Sequence, residues 1–130
     1  MQRRASRSTR IRSRQKRGVP TSQTIAIILK IREGANEAFE QMFEREILPL
    51  WHEFESEGKL LAASLTPVED GDYPPPAGFR YYILHVEVPG MDEHGAFDSD
   101  PRFLDFLSRA KKLQPEKPFV WFGTTLHQIP

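Results

Sequence analysis

The stretch FRYYILHVEV, from Phe79 to Val88, decides the fold. In an extended chain successive side chains point to opposite faces. Tyr82, Leu84, Val86 and Val88 therefore share one wholly apolar face, and Tyr81, Ile83, His85 and Glu87 share a mixed one. A strand of this kind sits in a sheet whose two sides meet different environments.

Working outward, three more segments read as strands. QTIAIILKIR (23–32) sets Ile25, Ile27, Leu29 and Ile31 against Ala26, Ile28, Lys30 and Arg32. KLLAASLTPV (59–68) is lined with small side chains, and EDGDYPPPAG (69–78) after it is a loop, since three consecutive prolines fit no central strand. KPFVWFGTTLHQI (117–129) sets Phe119, Trp121, Thr125 and His127 against Val120, Phe122, Thr124 and Leu126.

Two segments change period from two to three and four. In GANEAFEQMFEREILPLWHEFESEG (34–58), Phe39, Met42, Phe43, Ile47, Leu50, Trp51 and Phe54 form one apolar stripe. Glutamates at 37, 40, 44, 53 and 57 read as the solvated side. A bend or interruption is expected near Pro49, and Gly58 stands where a helix C-cap belongs. Further on, Asp100 is placed to cap a second helix with Pro101 in its first position. Its stripe is Phe103, Phe106, Leu107, Ala110 and Leu113. His94 falls in the run-up to this helix, outside regular structure.

The order βαββαβ is the ferredoxin-like α+β arrangement, a four-stranded antiparallel sheet with two helices on one face. The apolar sets belong under the helices. The other face is too apolar to stay wet and too polar for a simple core. A second copy packing sheet against sheet, with a cavity enclosed between them, is the economical solution, so a homodimer is expected.

At 130 residues the chain has room for one modest core, in a domain spanning 21–130. Residues 1–20 carry eight Lys or Arg and no acid, leaving ten basic and eighteen acidic residues in the body, a net −8. The first twenty residues read as a disordered basic tail. An Arg- and Ser-rich organelle presequence is the rival, but the tail has too few aliphatic residues for an apolar helical stripe. There is no cysteine, which removes disulfides, thiolate metal sites and cysteine nucleophiles and fits a cytoplasmic protein. The four histidines show no metal-binding spacing, and TIAIILKI (24–31) is too short to cross a membrane.

EREILPLWHEFESEGKLLAASL (44–65) and HGAFDSDPRFLDF (94–106) carry a resemblance. The first resembles the end of the first helix and the second strand of the dimeric α/β-barrel superfamily. That superfamily takes in the antibiotic-biosynthesis-type monooxygenases and the NIPSNAP and EthD groups. The second is similar to the monooxygenase-type segment in which a His precedes a polar linker, a proline and a phenylalanine-bearing helix. The resemblance covers about residues 22–130 and implies a cavity for small aromatic or polyketide-like molecules. Some members oxidise such molecules with O₂ and neither metal nor flavin, because the substrate itself forms a reactive carbanion. The haem-degrading members use an Asn in the first strand, which is missing here. The resemblance thus implies a cofactor-independent monooxygenase. A ligand-binding or assembly module of the same fold, without catalysis, stays open beside it.

His85, mid-strand on the mixed face, is the leading candidate base, because imidazole changes charge near working pH. Its replacement by Ala is expected to abolish O₂-consuming turnover and leave the dimer intact. His94 is the second catalytic candidate, reached from the linker. Tyr81 and Trp121 could stack on an aromatic ligand, with Ile28 and His127 as further contacts. His52, beside Trp51, reads as surface or packing. RNA recognition shares the βαββαβ order, but Ala77, Arg80 and Leu84 depart from its third-strand motif, and an acidic body repels phosphate.

Overall fold

A computed structural model describes residues 22–129. The basic tail read at 1–20 lies outside the described residues.

Alternation makes the first strand, β1 (Gln23–Arg32), the middle of the molecule. It pairs antiparallel with β3 (Phe79–Val88) on one side and with β4 (Phe119–Thr124) on the other. The remaining strand, β2 (Ala62–Pro67), pairs with the outer side of β3, giving the order β2-β3-β1-β4. This is the expected four-stranded antiparallel sheet. Cross-strand partners fix which residues share a face. Ala63, Val86, Ile25 and Phe122 form one row, and Leu65, Leu84, Ile27 and Val120 the next. On the opposite face Ser64, His85, Ala26 and Trp121 form a row, followed by Thr66, Ile83, Ile28 and Phe119.

The first helix, α1 (Asn36–Ser56), buries Phe39, Phe43, Ile47, Leu50, Trp51 and Phe54 against the apolar face. Of the bend or interruption expected near Pro49, the interruption does not occur; α1 is continuous through it. Its flanking side chains explain this, because Ile47, Leu50 and Trp51 are all buried and hold the turn against the sheet. Gly58 ends the helix at φ +75°, with its own N–H and that of Lys59 donating to the Glu55 and Phe54 carbonyls. That pair of bonds is the Schellman arrangement, which needs a residue tolerant of left-handed backbone.

A third helix was not expected. The segment read as a linker folds as α2 (Met91–Asp98) before α3 (Pro101–Ala110). Asp100 caps α3 as expected, its carboxylate accepting from Arg102 N–H at 2.8 Å. Phe97 anchors α2, its ring 5.1 Å from Phe54 and 4.7 Å from Phe103. Helices α1 and α3 are also clamped by two forked ion pairs, Arg102 to Glu53 and Arg109 to Glu46. Hydrogen bonds from Arg109 hold the Glu46 carboxyl below its ordinary range, and Arg102 does the same for Glu53. Glu53 is therefore more than the solvated charge its helix position suggested.

Candidate functional site

Helix α2 has consequences for what lies beneath it. None of its side chains is fully buried, and only Phe97 ties it to both neighbouring helices. The middle of the sheet under the helices is correspondingly left only partly covered, at Ile27, Leu29, Leu84 and Val86. A cavity of about 280 Å³ occupies that space. It lies at the lower end of the size range of small-molecule sites. Its floor is the apolar sheet face, and its roof includes Trp51 and Phe43 of α1, Phe97 of α2 and Phe103 and Phe106 of α3.

The cavity therefore lies between sheet and helices. The expectation had placed it between paired sheets. The assignment of faces was sound; the helices simply do not close on the sheet.

Only four polar side chains line the cavity among the described residues: Lys59, His94, Asp98 and Gln114. His94 sits on α2, not in a loop. One turn of helix separates it from Asp98, and its Nε2 lies 3.1 Å from Asp98 Oδ2. Its ring meets Phe122 edge-on at 5.7 Å, which fixes it at the β1 end marked by Ile25, the cross-strand partner of Phe122. The His94 side chain is only 17% exposed, and its Nδ1 is buried with no hydrogen-bond partner. A buried polar atom left without a partner is unusual and costs about 1–3 kcal/mol.

The structure brings no other sequence candidate to this cavity. His85, Tyr81, Ile28 and Trp121 all sit on the opposite, open face of the sheet. His127 lies beyond β4 and is exposed. His52 is exposed on α1. Asp98, Lys59 and Gln114 were not singled out from sequence. The four-residue spacing of His94 and Asp98 was the available signal, and it means something only once 91–98 is known to be helical. No group of three or more His, Asp or Glu that could hold a metal occurs among the described residues. No helix among them is long and apolar enough to cross a membrane.

A second, more open groove lies beside β2, lined by Glu40, Glu44, Leu48 and Pro67 with Tyr82 at its base. The phenol O–H of Tyr82 donates to Glu40 Oε2 at 2.5 Å, so its one polar contact is internal.

No protein-family model and no curated protein matches the chain. Solved structures do. SnoaB, a cofactor-independent oxygenase from Streptomyces nogalater (in a mutant form), is 17% identical with a TM-score of 0.61, over 84% of this chain and 97% of that one. An antibiotic biosynthesis monooxygenase matches at 15% identity and TM-score 0.59, over 83% and 99%. A dimeric ferredoxin-like protein from an uncultured marine organism matches at 12% identity and TM-score 0.67, over 85% and 92%. At these identities the likeness is one of architecture: the chain has the ferredoxin-like fold of the antibiotic biosynthesis monooxygenases.

Proposed function

We propose that this chain binds a small, largely aromatic molecule in the cavity between sheet and helices and oxidises it with O₂, without a separate cofactor. One observation carries the reading. An otherwise apolar cavity presents a histidine whose Nε2 is held by Asp98 and whose Nδ1 is buried and unpaired. Asp98 beside Nε2 orients the ring, and His94 is assigned the general base, a small rotation of the ring bringing the buried Nδ1 to the substrate.

For a substrate with an acidified CH₂ the chemistry balances as CH₂ + O₂ → C=O + H₂O. His94 takes the proton from carbon, and the carbanion supplies an electron to O₂. The radical pair joins through a new C–O bond. Protonation of the peroxide by His94 and loss of water with the second C–H proton leave the carbonyl. All four electrons come from the substrate carbon. The apolar walls keep water from the carbanion. SnoaB, whose fold this chain resembles, is a cofactor-independent oxygenase and so belongs to the same reaction class.

The open sheet face is assigned to a second copy of the chain. Ile83, Phe119 and Trp121 stand 41%, 48% and 59% exposed there, alongside Ile28 and Tyr81. His85 then belongs to the subunit interface, with Tyr81 and Ile28 as its neighbours.

The test is His94→Ala assayed by O₂ consumption on an enolisable anthrone. Turnover should fall at least about 100-fold, the usual lower reach of a lost general base, with ligand affinity falling no more than about tenfold for the one hydrogen bond lost. His85→Ala should keep its turnover. Full activity in His94→Ala would remove the base from the reading, and wild-type binding without any O₂ uptake would favour the non-catalytic ligand-binding module.

A further inference from the structure

The cavity has two ends with different chemistry. Lys59, His94 and Asp98 gather at one, near the start of β1, where Ile25 faces Phe122 and Leu61 N–H donates to the Glu87 carbonyl. Gln114 stands alone at the other, tied to Lys30. Ile25 and Lys30 are five residues apart on one strand, about 17 Å at the usual rise of about 3.4 Å. Between the ends the floor is Ile27, Leu29 and Leu84, which offer a ligand nothing polar.

The orientation of the Gln114 amide is fixed by chemistry. The Lys30 backbone N–H lies beyond the last β1–β4 pair, at Ile28 and Phe119, and donates to Gln114 Oε1 at 3.1 Å. A backbone N–H can be met only by the oxygen of an amide, so Nε2 is turned the other way. No hydrogen bond leaves Nε2 among the described residues, although the side chain lines the cavity. Its oxygen already accepts from Lys30 and its two N–H donors are unengaged among the described residues, so Gln114 offers a ligand chiefly donors.

We propose that Gln114 is a specificity-determining residue of the cavity, reading a hydrogen-bond-accepting oxygen at the end of the ligand remote from His94. The inference rests on the reading that the cavity holds an aromatic ligand. It adds a size and a pattern. Allowing for side-chain reach and a hydrogen bond at each end, two ligand oxygens on the order of 10 Å apart suit that separation. The remote oxygen is a carbonyl or ether, and the near one a phenol or enol.

The experiment is calorimetric titration of the full chain with 4-hydroxybiphenyl and with 4-acetyl-4′-hydroxybiphenyl, which adds a remote carbonyl. Wild type should bind the acetyl compound about tenfold more tightly. Gln114→Glu keeps an oxygen for Lys30 N–H and loses the donors. Gln114→Met loses both without adding charge. Each should bind 4-hydroxybiphenyl within about twofold of wild type and show no preference for the acetyl compound. A preference that survives in both variants overturns the role of Gln114, as does an equal loss for both probes. Wild type binding 4-hydroxybiphenyl without any preference for the carbonyl overturns this inference alone. Wild type binding neither overturns the aromatic-ligand reading with it.

Discussion

Tyr82 shows how much one residue can carry. It is among the most buried side chains, packs its ring tilted against Phe39 at 5.1 Å between ring centres, and donates its O–H to Glu40. Burial first, and then the Glu40 carboxylate, raise its pKa well above the ordinary 10.0. The folded chain therefore keeps a proton that the unfolded chain would release. The resulting stability is complete below about pH 10 and is lost as pH rises above it. Tyr82→Phe should flatten the fall in stability above pH 10, measured by urea melts across that pH. An unchanged slope would mean that other groups set it. Alternation alone puts Tyr82 on the apolar face and the helix period puts Glu40 outside; their bond joins residues 42 apart, which no local pattern reports. His94 is the same lesson at the site. Its residue type marks it as a candidate, but its value comes from Asp98 and from a buried Nδ1, and both depend on α2.

At the scale of elements, periodicity performed well where a stripe exists and failed where none does. Helices α1 and α3 have long apolar stripes, and the structure follows that of α1 closely and that of α3 in part. Phe106 and Ala110 are buried, while Leu107 stands 41% exposed and Leu113 falls in the turn after the helix. MDEHGAFD offers no such stripe, holds Gly95 in its middle and fully buries nothing, so its helix depends on Phe97 seated between Phe54 and Phe103. That unexpected element roofs a cavity within the single chain, on the face opposite the one where the sequence led us to expect a cavity between two copies. Pro49 misled in the opposite direction. A proline inside a helix removes one hydrogen bond, yet six buried side chains on α1 outweigh it. Pro49→Ala should restore an N–H facing the Arg45 carbonyl and raise stability by up to about 3 kcal/mol. A thermal melt checks this, and a lowered midpoint would show that the proline fits its site better than a regular turn does.

For the whole molecule, the unsolved surface is the open sheet face. The mixed pattern of β3, legible from FRYYILHVEV, is what points to a partner, and one structurally similar protein is a dimer. Trp121, in the middle of exposed β4, is the place to test it. Trp121→Glu should sediment as a single chain at concentrations where wild type is a dimer, with its circular dichroism unchanged. Wild type sedimenting as a monomer at micromolar concentration would contradict the assignment of that face. The faces could be read from the sequence because β-strand alternation is local, whereas the pairing register joins distant segments and came only with the structure. Where the single chain leaves a cavity could not be read this way, because it depends on how far three helices stand off the sheet.

The central claim is that ligands enter between sheet and helices, beside His94, rather than on the face that carries His85. The most direct measurement is the imidazole nitrogen NMR spectrum of histidine-labelled protein, assigned with His94→Ala and His85→Ala, as 4-hydroxybiphenyl is added. The account predicts that His94 Nδ1 shifts on acquiring a hydrogen-bond partner while His85 stays in place. A shift at His85 with His94 unmoved would contradict it.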